Sequence, residues 1–195
     1  MHDLTASPQP FIHIEYPDWI ASLVDWDRVY RSDSDRMAVA IAVSRANIGV
    51  AGGGPFGAAV FEDQSGRLVS VGMNCVVRYN NCVLHAEVMA FMMAQAKVGS
   101  FTLNHPRLPR HAVYSSCEPC AMCLGATLWS GARRLVCAAT RDDALALGFD
   151  EGPVFDESYQ YLIDRGLEVT REVMRDQARQ VMDDYRAASG EIYNG

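Results

Sequence analysis

Residues 116–125 read SCEPCAMCLG and place three cysteines within seven positions, around a glutamate and a proline. A proline is favoured in the first turn of a helix, so Pro119 predicts a helix that runs to about Ser130. Cys120 and Cys123 then fall at the helix start, where free amides and the helix dipole stabilise thiolate over thiol. Residues three apart share a helix face. The stretch therefore predicts a metal or catalytic site.

A second motif, HAE at 85–87, completes a ligand set that zinc prefers. A catalytic zinc keeps three protein ligands and an open position for water, and His85, Cys120 and Cys123 supply that number. Glu87 need not bind the metal. It can take a proton from the bound water and return protons to a substrate nitrogen and a leaving amine. The two motifs together predict one Zn²⁺ per chain, with Glu87 as the proton shuttle.

The other cysteines near these motifs suggest competing interpretations. Cys117 has its own Cys-x-x-Cys spacing with Cys120, but we expect it to be a small residue at a strand end. Cys82 stands three positions before His85, without further ligands nearby in the sequence. A structural zinc module is the alternative from a different functional class. Such a module would favour a fourth protein ligand and would leave Glu87 without a role.

Composition limits the classes of function. A chain of 195 residues with 49% hydrophobic content is long enough to bury about 70% of its unfolded surface as one domain. The formal charge of −7 counts against a protein that grips nucleic-acid backbones. No stretch approaches the roughly 18 continuous apolar residues of a membrane span, and no signal peptide is recognisable. We therefore expect a cytoplasmic protein with a small-molecule substrate, whose six cysteines do not form disulfides.

Apolar periodicity predicts alternating helices and strands. AAVFED and LVSVGMN flank a hairpin-length turn and predict an antiparallel strand pair. Further strands are predicted at 111–116, 134–140 and 166–171, and the main helices at 35–48, 85–99, 119–130 and 172–188. This alternation predicts a three-layer α/β/α sandwich on a mixed, mostly five-stranded sheet. We expect residues 1–34 to form an irregular N-terminal arm and residues 35–195 to form a single catalytic domain.

Several stretches resemble the cytidine deaminase superfamily and, within it, the bacterial guanine deaminases. They lie between about residue 36 and the C-terminus and read GGPFGAAVF, GMN, HAE, SCEPCAMCLGA, LWSGARRLVCAA and GFDEG. The pair His-x-Glu and Pro-Cys-x-x-Cys is the signature of zinc deaminases that act on cytosine or adenine. The resemblance implies hydrolytic deamination of guanine to xanthine and ammonia, with a zinc-bound hydroxide attacking C2. It also implies a homodimer.

The resemblance further implies roles for five residues around the base. Phe56 would stack on the purine, Asn74 would hydrogen-bond its polar edge, and the backbone at Ala86 would contact it. Trp129 would help to wall the pocket, and Glu151 would act as a second acid. The residue types leave other interpretations open. Phe56 and Trp129 could be core residues, Asn74 could be a turn residue at a strand end, and Glu151 could be a solvated carboxylate.

The C-terminal sequence GEIYNG at 190–195 suggests a lid. Resemblance to related deaminases implies that Tyr193 could close over the site, within one chain or across a dimer. Other substrates stay open, namely guanosine, cytosine or an aminotriazine such as ammeline. A tRNA adenosine deaminase shares the zinc motif but needs a basic surface and room for a flipped nucleotide. The net charge and the acidic stretch FDEGPVFDE at 149–157 count against it.

Overall fold

The computed structural model describes residues 12–194, and its centre is a five-stranded sheet in the order β2-β1-β3-β4-β5. The strands are β1 (Gly57–Glu62), β2 (Leu68–Met73), β3 (His111–Cys117), β4 (Arg134–Ala139) and β5 (Glu168–Thr170). β1 runs antiparallel to β2 and β3, whereas β3, β4 and β5 are parallel. The mixed five-stranded sheet predicted from the sequence is confirmed.

Helices cover both faces of this sheet. They are α1 (Trp19–Leu23), α2 (Asp33–Ile48), α3 (Val76–Tyr79), α4 (Ala86–Val98), α5 (Ala121–Ser130), α6 (Arg141–Leu147), α7 (Asp156–Ile163) and α8 (Arg175–Ala187). Buried side chains of α2, α6 and α8 belong to one core cluster, and those of α5 and α7 belong to a second cluster with most of α4. The three-layer architecture is therefore confirmed. None of the helices within residues 12–194 is long and apolar enough to cross a membrane.

Part of the predicted N-terminal arm is regular and packs on the body. Helix α2 begins at Asp33, two residues earlier than predicted, because Ser32 and Asp35 form a capping box. The hydroxyl of Tyr16 donates to the carbonyl of Val71 in β2 at 2.9 Å and accepts from the amide of the same residue at 3.1 Å. The first eleven residues of the predicted arm lie outside the described residues.

The two helices of the zinc motifs begin later than predicted, α4 by one position and α5 by two. His85 is the N-cap of α4, which ends at a left-handed Gly99 as predicted. Cys120 is the N-cap of α5, so Pro119 precedes the helix and does not lie in its first turn. The short helix α3 was not predicted. Its four residues are too few to show an apolar period.

Candidate active site

His85, Cys120 and Cys123 meet between the starts of α4 and α5. Their ligand atoms all lie within 4.8 Å of one another, and Cys120 Sγ is 3.5 Å from His85 Nδ1. Two ligands on one tetrahedral zinc, with Zn–S near 2.3 Å and Zn–N near 2.05 Å, stand about 3.6 Å apart. The spacing of sulfur and nitrogen thus fits a shared zinc ion.

The positions of the ligands on their helices explain this convergence. His85 and Cys120 are both N-cap residues with extended backbone, and neither side chain caps its own helix. Each side chain is therefore free to project past the helix end. Cys123 follows one turn into α5 and is fully buried. Two helix N-termini consequently face the cluster, and their dipoles favour thiolate and carboxylate groups.

The protonation of the two thiols is uneven. The hydrogen bond with Cys123, followed by that with His85, lowers the pKa of Cys120 to about 4 despite its burial. The hydrogen bond with Cys120 and burial raise the pKa of Cys123. The protein alone thus stabilises one thiolate in the pair. A bound divalent cation would favour the second, because metal binding displaces protons from cysteine.

Glu87 lies beside the cluster and is 6% exposed. Burial, with the Cys120 thiolate adding to it, raises the pKa of Glu87. Its Oε1 accepts a hydrogen bond from the hydroxyl of Ser115 in β3 at 2.9 Å. A buried carboxyl with a raised pKa can both accept and donate a proton near neutral pH.

Glu151 brings a second buried carboxyl to the cluster from the loop between α6 and α7. Its carbonyl accepts from the amide of Ala121, the first residue of α5, at 3.0 Å. Burial, with the charges of Cys120 and Glu87, raises the pKa of its side chain to about 8. Glu151 is therefore not the solvated loop carboxylate that the sequence left open as an alternative.

Asn74 is held at the end of β2 by its neighbours. Its side-chain Oδ1 accepts from the amide of Val76 at 3.2 Å, which sets the orientation of the side-chain amide. Its own carbonyl accepts from the side chain of Asn47 at 2.8 Å, and the same Asn47 amide donates to the carbonyl of Gly54 at 2.9 Å. Asn47 is therefore a support for the loop that carries Asn74.

Three aromatic rings stand in a row next to Asn74. Phe56 and Tyr193 each pack edge-on against Phe149, with ring centroids 5.0 Å apart in both pairs. A Cβ atom on Gly54 would overlap the Tyr193 hydroxyl, so a glycine is needed there for the C-terminal segment to pack. The Tyr193 hydroxyl is buried and has no hydrogen-bond partner within residues 12–194.

Residues 30–139, more than half of the chain, match the family model of the cytidine and deoxycytidylate deaminase zinc-binding region. The chain belongs to this deaminase family. Guanine deaminase of Bacillus subtilis is 38% identical over 122 residues, which cover 63% of this chain and 72% of that protein. The solved guanine deaminase of Nitrosomonas europaea is 42% identical, with a TM-score of 0.86 over 91% of this chain and 97% of that one. A solved complex with 8-azaguanine matches with the same values.

The deaminase brings most of the predicted site residues together. Ala86, whose backbone was predicted to contact the base, is fully buried at the start of α4 beside His85. Tyr193 lies against Gly54 in the same chain. Phe149 was not predicted as a site residue, although it stands in the quoted motif GFDEG. Its position between two predicted aromatic residues is what reveals it.

Trp129 is the predicted site residue that the deaminase fold does not bring to the cluster within one chain. It is nine residues after Cys120 on α5, which corresponds to about 13 Å along the helix axis. Its side chain is 80% exposed. Trp129 therefore neither walls the site of its own chain nor packs in the core, the two roles that the sequence left open.

Cys117 and Cys82 do not join the metal cluster in the residues described. The thiol of Cys117 points to the carbonyl of Thr140 at 3.5 Å. Burial raises the pKa of Cys117 well above its usual value, which disfavours the thiolate that a metal needs. Cys82 is exposed. The cluster thus offers three ligand residues, the number that a catalytic zinc takes from a protein.

Proposed function

We propose that this chain catalyses the hydrolytic deamination of guanine to xanthine and ammonia. The observation that carries the proposal is the presence of two buried carboxyl groups, Glu87 and Glu151, beside a His-Cys-Cys cluster. The names of the similar proteins from Bacillus subtilis and Nitrosomonas europaea support guanine as the substrate. The reaction belongs to purine metabolism.

His85, Cys120 and Cys123 would hold one Zn²⁺ per chain. When bound there, zinc makes a water molecule acidic enough to serve as a nucleophile near neutral pH. Glu87 would act as the general base that takes one proton from the attacking water and gives it to a ring nitrogen. It would then take a second proton from the hydroxyl group left on C2 and give it to the amine, which leaves as ammonia.

The surrounding residues would select and orient the base. The side-chain NH₂ of Asn74 can donate to an acceptor such as O6 or N7 of guanine. Phe56 would offer a ring face to the flat purine, and the backbone at Ala86 would contact its edge. Glu151, buried beside Cys120 and Glu87, would act as the second acid by relaying a proton from Glu87 to the leaving amine. Tyr193 would close the site within the same chain.

The same features favour a free base over a base in tRNA. The stretch 149–157 beside the site carries four acidic residues and no basic one, and a tRNA backbone is repelled by such a loop. Tyr193 packs against Gly54 and limits the room for a flipped nucleotide. We therefore expect guanine to be a better substrate than adenosine in tRNA. Guanosine, cytosine and ammeline are the other candidate substrates to be tested.

An exposed apolar face on α5 and α7 supports a homodimer. The two helices border a groove of about 300 Å³ lined by Leu124, Leu128, Tyr161 and Leu162, and they also expose Met122, Trp129 and Ile163. Clustered exposed apolar side chains mark association surfaces, and the second copy is the partner that the family resemblance implies. Sedimentation of the wild type should give a dimer, and Trp129→Glu should weaken it. A monomeric wild type would refute the dimer.

The six free cysteines support a location in the reducing cytoplasm.

Ammonia release from a panel of substrates tests the proposed function. The panel contains guanine, guanosine, cytosine, ammeline and an anticodon stem-loop, and zinc content is measured on the same preparation. We expect guanine to give the highest kcat/KM, with xanthine and ammonia formed in equal amounts at one zinc per chain. A higher kcat/KM for any other member of the panel would replace guanine as the substrate.

A further inference from the structure

Ser115 makes a hydrogen bond that is unusual for a buried serine of this chain. It lies in β3, is 2% exposed, and donates from its hydroxyl to Glu87 Oε1 at 2.9 Å. Its partners on the neighbouring strands are Ala58 in β1 and Cys137 in β4. These offer at most a weak hydrogen-bonding thiol. The hydroxyl of Ser115 is therefore directed to the carboxyl group.

Other buried serines use their hydroxyl groups to satisfy the backbone. Ser44 donates to the carbonyl of Pro55 at 2.7 Å, and Ser70 donates to the carbonyl of Ala90 at the same distance. Ser130 donates to the carbonyl of Thr127 at 2.8 Å. Such bonds secure a loop or helix to the fold. Ser115 instead donates to the side chain that the proposed reaction uses for proton transfer. The acceptor of the Ser115 hydroxyl is thus a side-chain carboxyl group, whereas the acceptors of the other three are backbone carbonyls.

The position of Ser115 makes it a rigid support for this carboxyl. The terminal torsion of a glutamate side chain is soft, so a carboxylate held only by its own chain can rotate. β3 is hydrogen-bonded to β1 on one side and to β4 on the other. The bond from Ser115 therefore fixes one oxygen of the Glu87 carboxyl, Oε1, to the centre of the sheet. Hydrogen bonds to an ionised acceptor are also stronger than neutral ones.

We propose that Ser115 is a positioning residue that fixes the orientation of Glu87 for proton transfer. This inference rests on the proposed function, because it concerns the same deamination step. The hydroxyl of Ser115 acts through Glu87 and does not touch the substrate. Its loss should consequently lower the rate of the chemical step, while zinc and the base still bind.

The test compares Ser115→Ala with Ser70→Ala in the full-length zinc-loaded protein. Ser70 is the matched control because it is an equally buried serine that bonds to α4, the helix of Glu87, but through the carbonyl of Ala90. For each variant we would measure kcat and KM for guanine, the Kd for 8-azaguanine, zinc content and the urea midpoint of unfolding. Ser115→Thr, which keeps the hydroxyl, provides the rescue.

We expect Ser115→Ala to lower kcat by about 10- to 100-fold, since a hydrogen bond to a charged group contributes that much. Its KM, 8-azaguanine affinity and zinc content should stay within about twofold of wild type. Ser115→Thr should recover most of kcat, and Ser70→Ala should change the urea midpoint more than kcat. This pattern separates positioning from a structural effect.

Three results would overturn the role of Ser115. The first is a kcat for Ser115→Ala within about twofold of wild type. The second is an equal loss of kcat in Ser70→Ala at a similar urea midpoint. The third is a loss of kcat in Ser115→Ala that Ser115→Thr does not restore. Failure of the proposed function has a different signature, because the wild type itself would then release no xanthine from guanine.

Discussion

The carbonyl of Glu151 accepts a hydrogen bond from the amide of Ala121 at 3.0 Å. Because Ala121 follows Cys120 and opens α5, the acidic loop caps the same helix that presents the metal ligands. Glu118 reinforces the connection, since its carboxylate accepts from the amide of Arg141 at 2.9 Å. Arg141 in turn donates to the carbonyl of Gly152 at 3.3 Å. The two cysteines of the His-Cys-Cys cluster and Glu151 therefore belong to one hydrogen-bonded structural unit.

Zinc binding should depend on Cys120 but not on Cys117. Cys120→Ala deletes a thiolate whose pKa is lowered to about 4 and should abolish zinc binding. Cys117→Ala deletes a buried thiol that lies 3.5 Å from a backbone carbonyl, so it should keep about one zinc per chain. Zinc content by atomic absorption distinguishes the two. Zinc loss in Cys117→Ala would mean that the ligand set is different.

Asn47 should control substrate affinity without touching the base. In Asn47→Asp the side chain can still accept from Arg78, whose guanidinium lies 3.0 Å from Asn47 Oδ1. It cannot donate to the carbonyls of Gly54 and Asn74, so two buried acceptors lose their partner. We expect KM for guanine to rise about tenfold or more, whereas zinc content stays at one. An unchanged KM would show that Asn74 keeps its place unaided.

The C-terminal segment should contribute to base binding. Asn194 joins it to the acidic loop, because its side chain accepts from the amide of Asp150 at 2.8 Å and donates to the carbonyl of Gly148 at 3.0 Å. Deleting residues 190–195 should raise KM for guanine. Asn194→Ala, which removes only the connection, should raise it by a smaller factor. Unchanged Michaelis constants in both variants would contradict a lid in the same chain.

Acid should remove the stabilising effect of the ion pair between Asp143 and Arg175. The hydrogen bonds from Arg175 lower the pKa of Asp143 to about 2. An aspartate in the unfolded chain titrates near 3.9, so this pair stabilises the fold above about pH 4 and ceases to do so as the pH falls towards 2. Asp143→Asn should lower the urea midpoint at pH 7, and the difference from wild type should shrink below pH 4. Asp142→Asn, at a neighbouring carboxyl without an ion pair in the described residues, is the control. A pH-independent difference would argue against the pair.

Local spacing was sufficient to predict the sheet and the three residues that form the His-Cys-Cys cluster. The positions of His85, Cys120 and Cys123 follow from where two helices begin, which sequence patterns signal well. The supporting contacts could not be predicted in this way. Ser115 and Glu87 are 28 positions apart, and their contact depends on how α4 packs against β3. Trp129 shows the limit of the motif, because it lies at the far end of α5 with its side chain exposed. Its place in a pocket wall stays a prediction.

Turnover by Glu87→Ala is the most direct test of the account. The side chain lies beside the metal cluster but is not one of its three ligands, so the variant should keep one zinc per chain. Loss of the proton shuttle should reduce kcat for guanine by about 10²- to 10⁴-fold. Xanthine formation is to be measured at a zinc content matched to wild type. Near wild-type turnover in this variant would contradict the proposed mechanism.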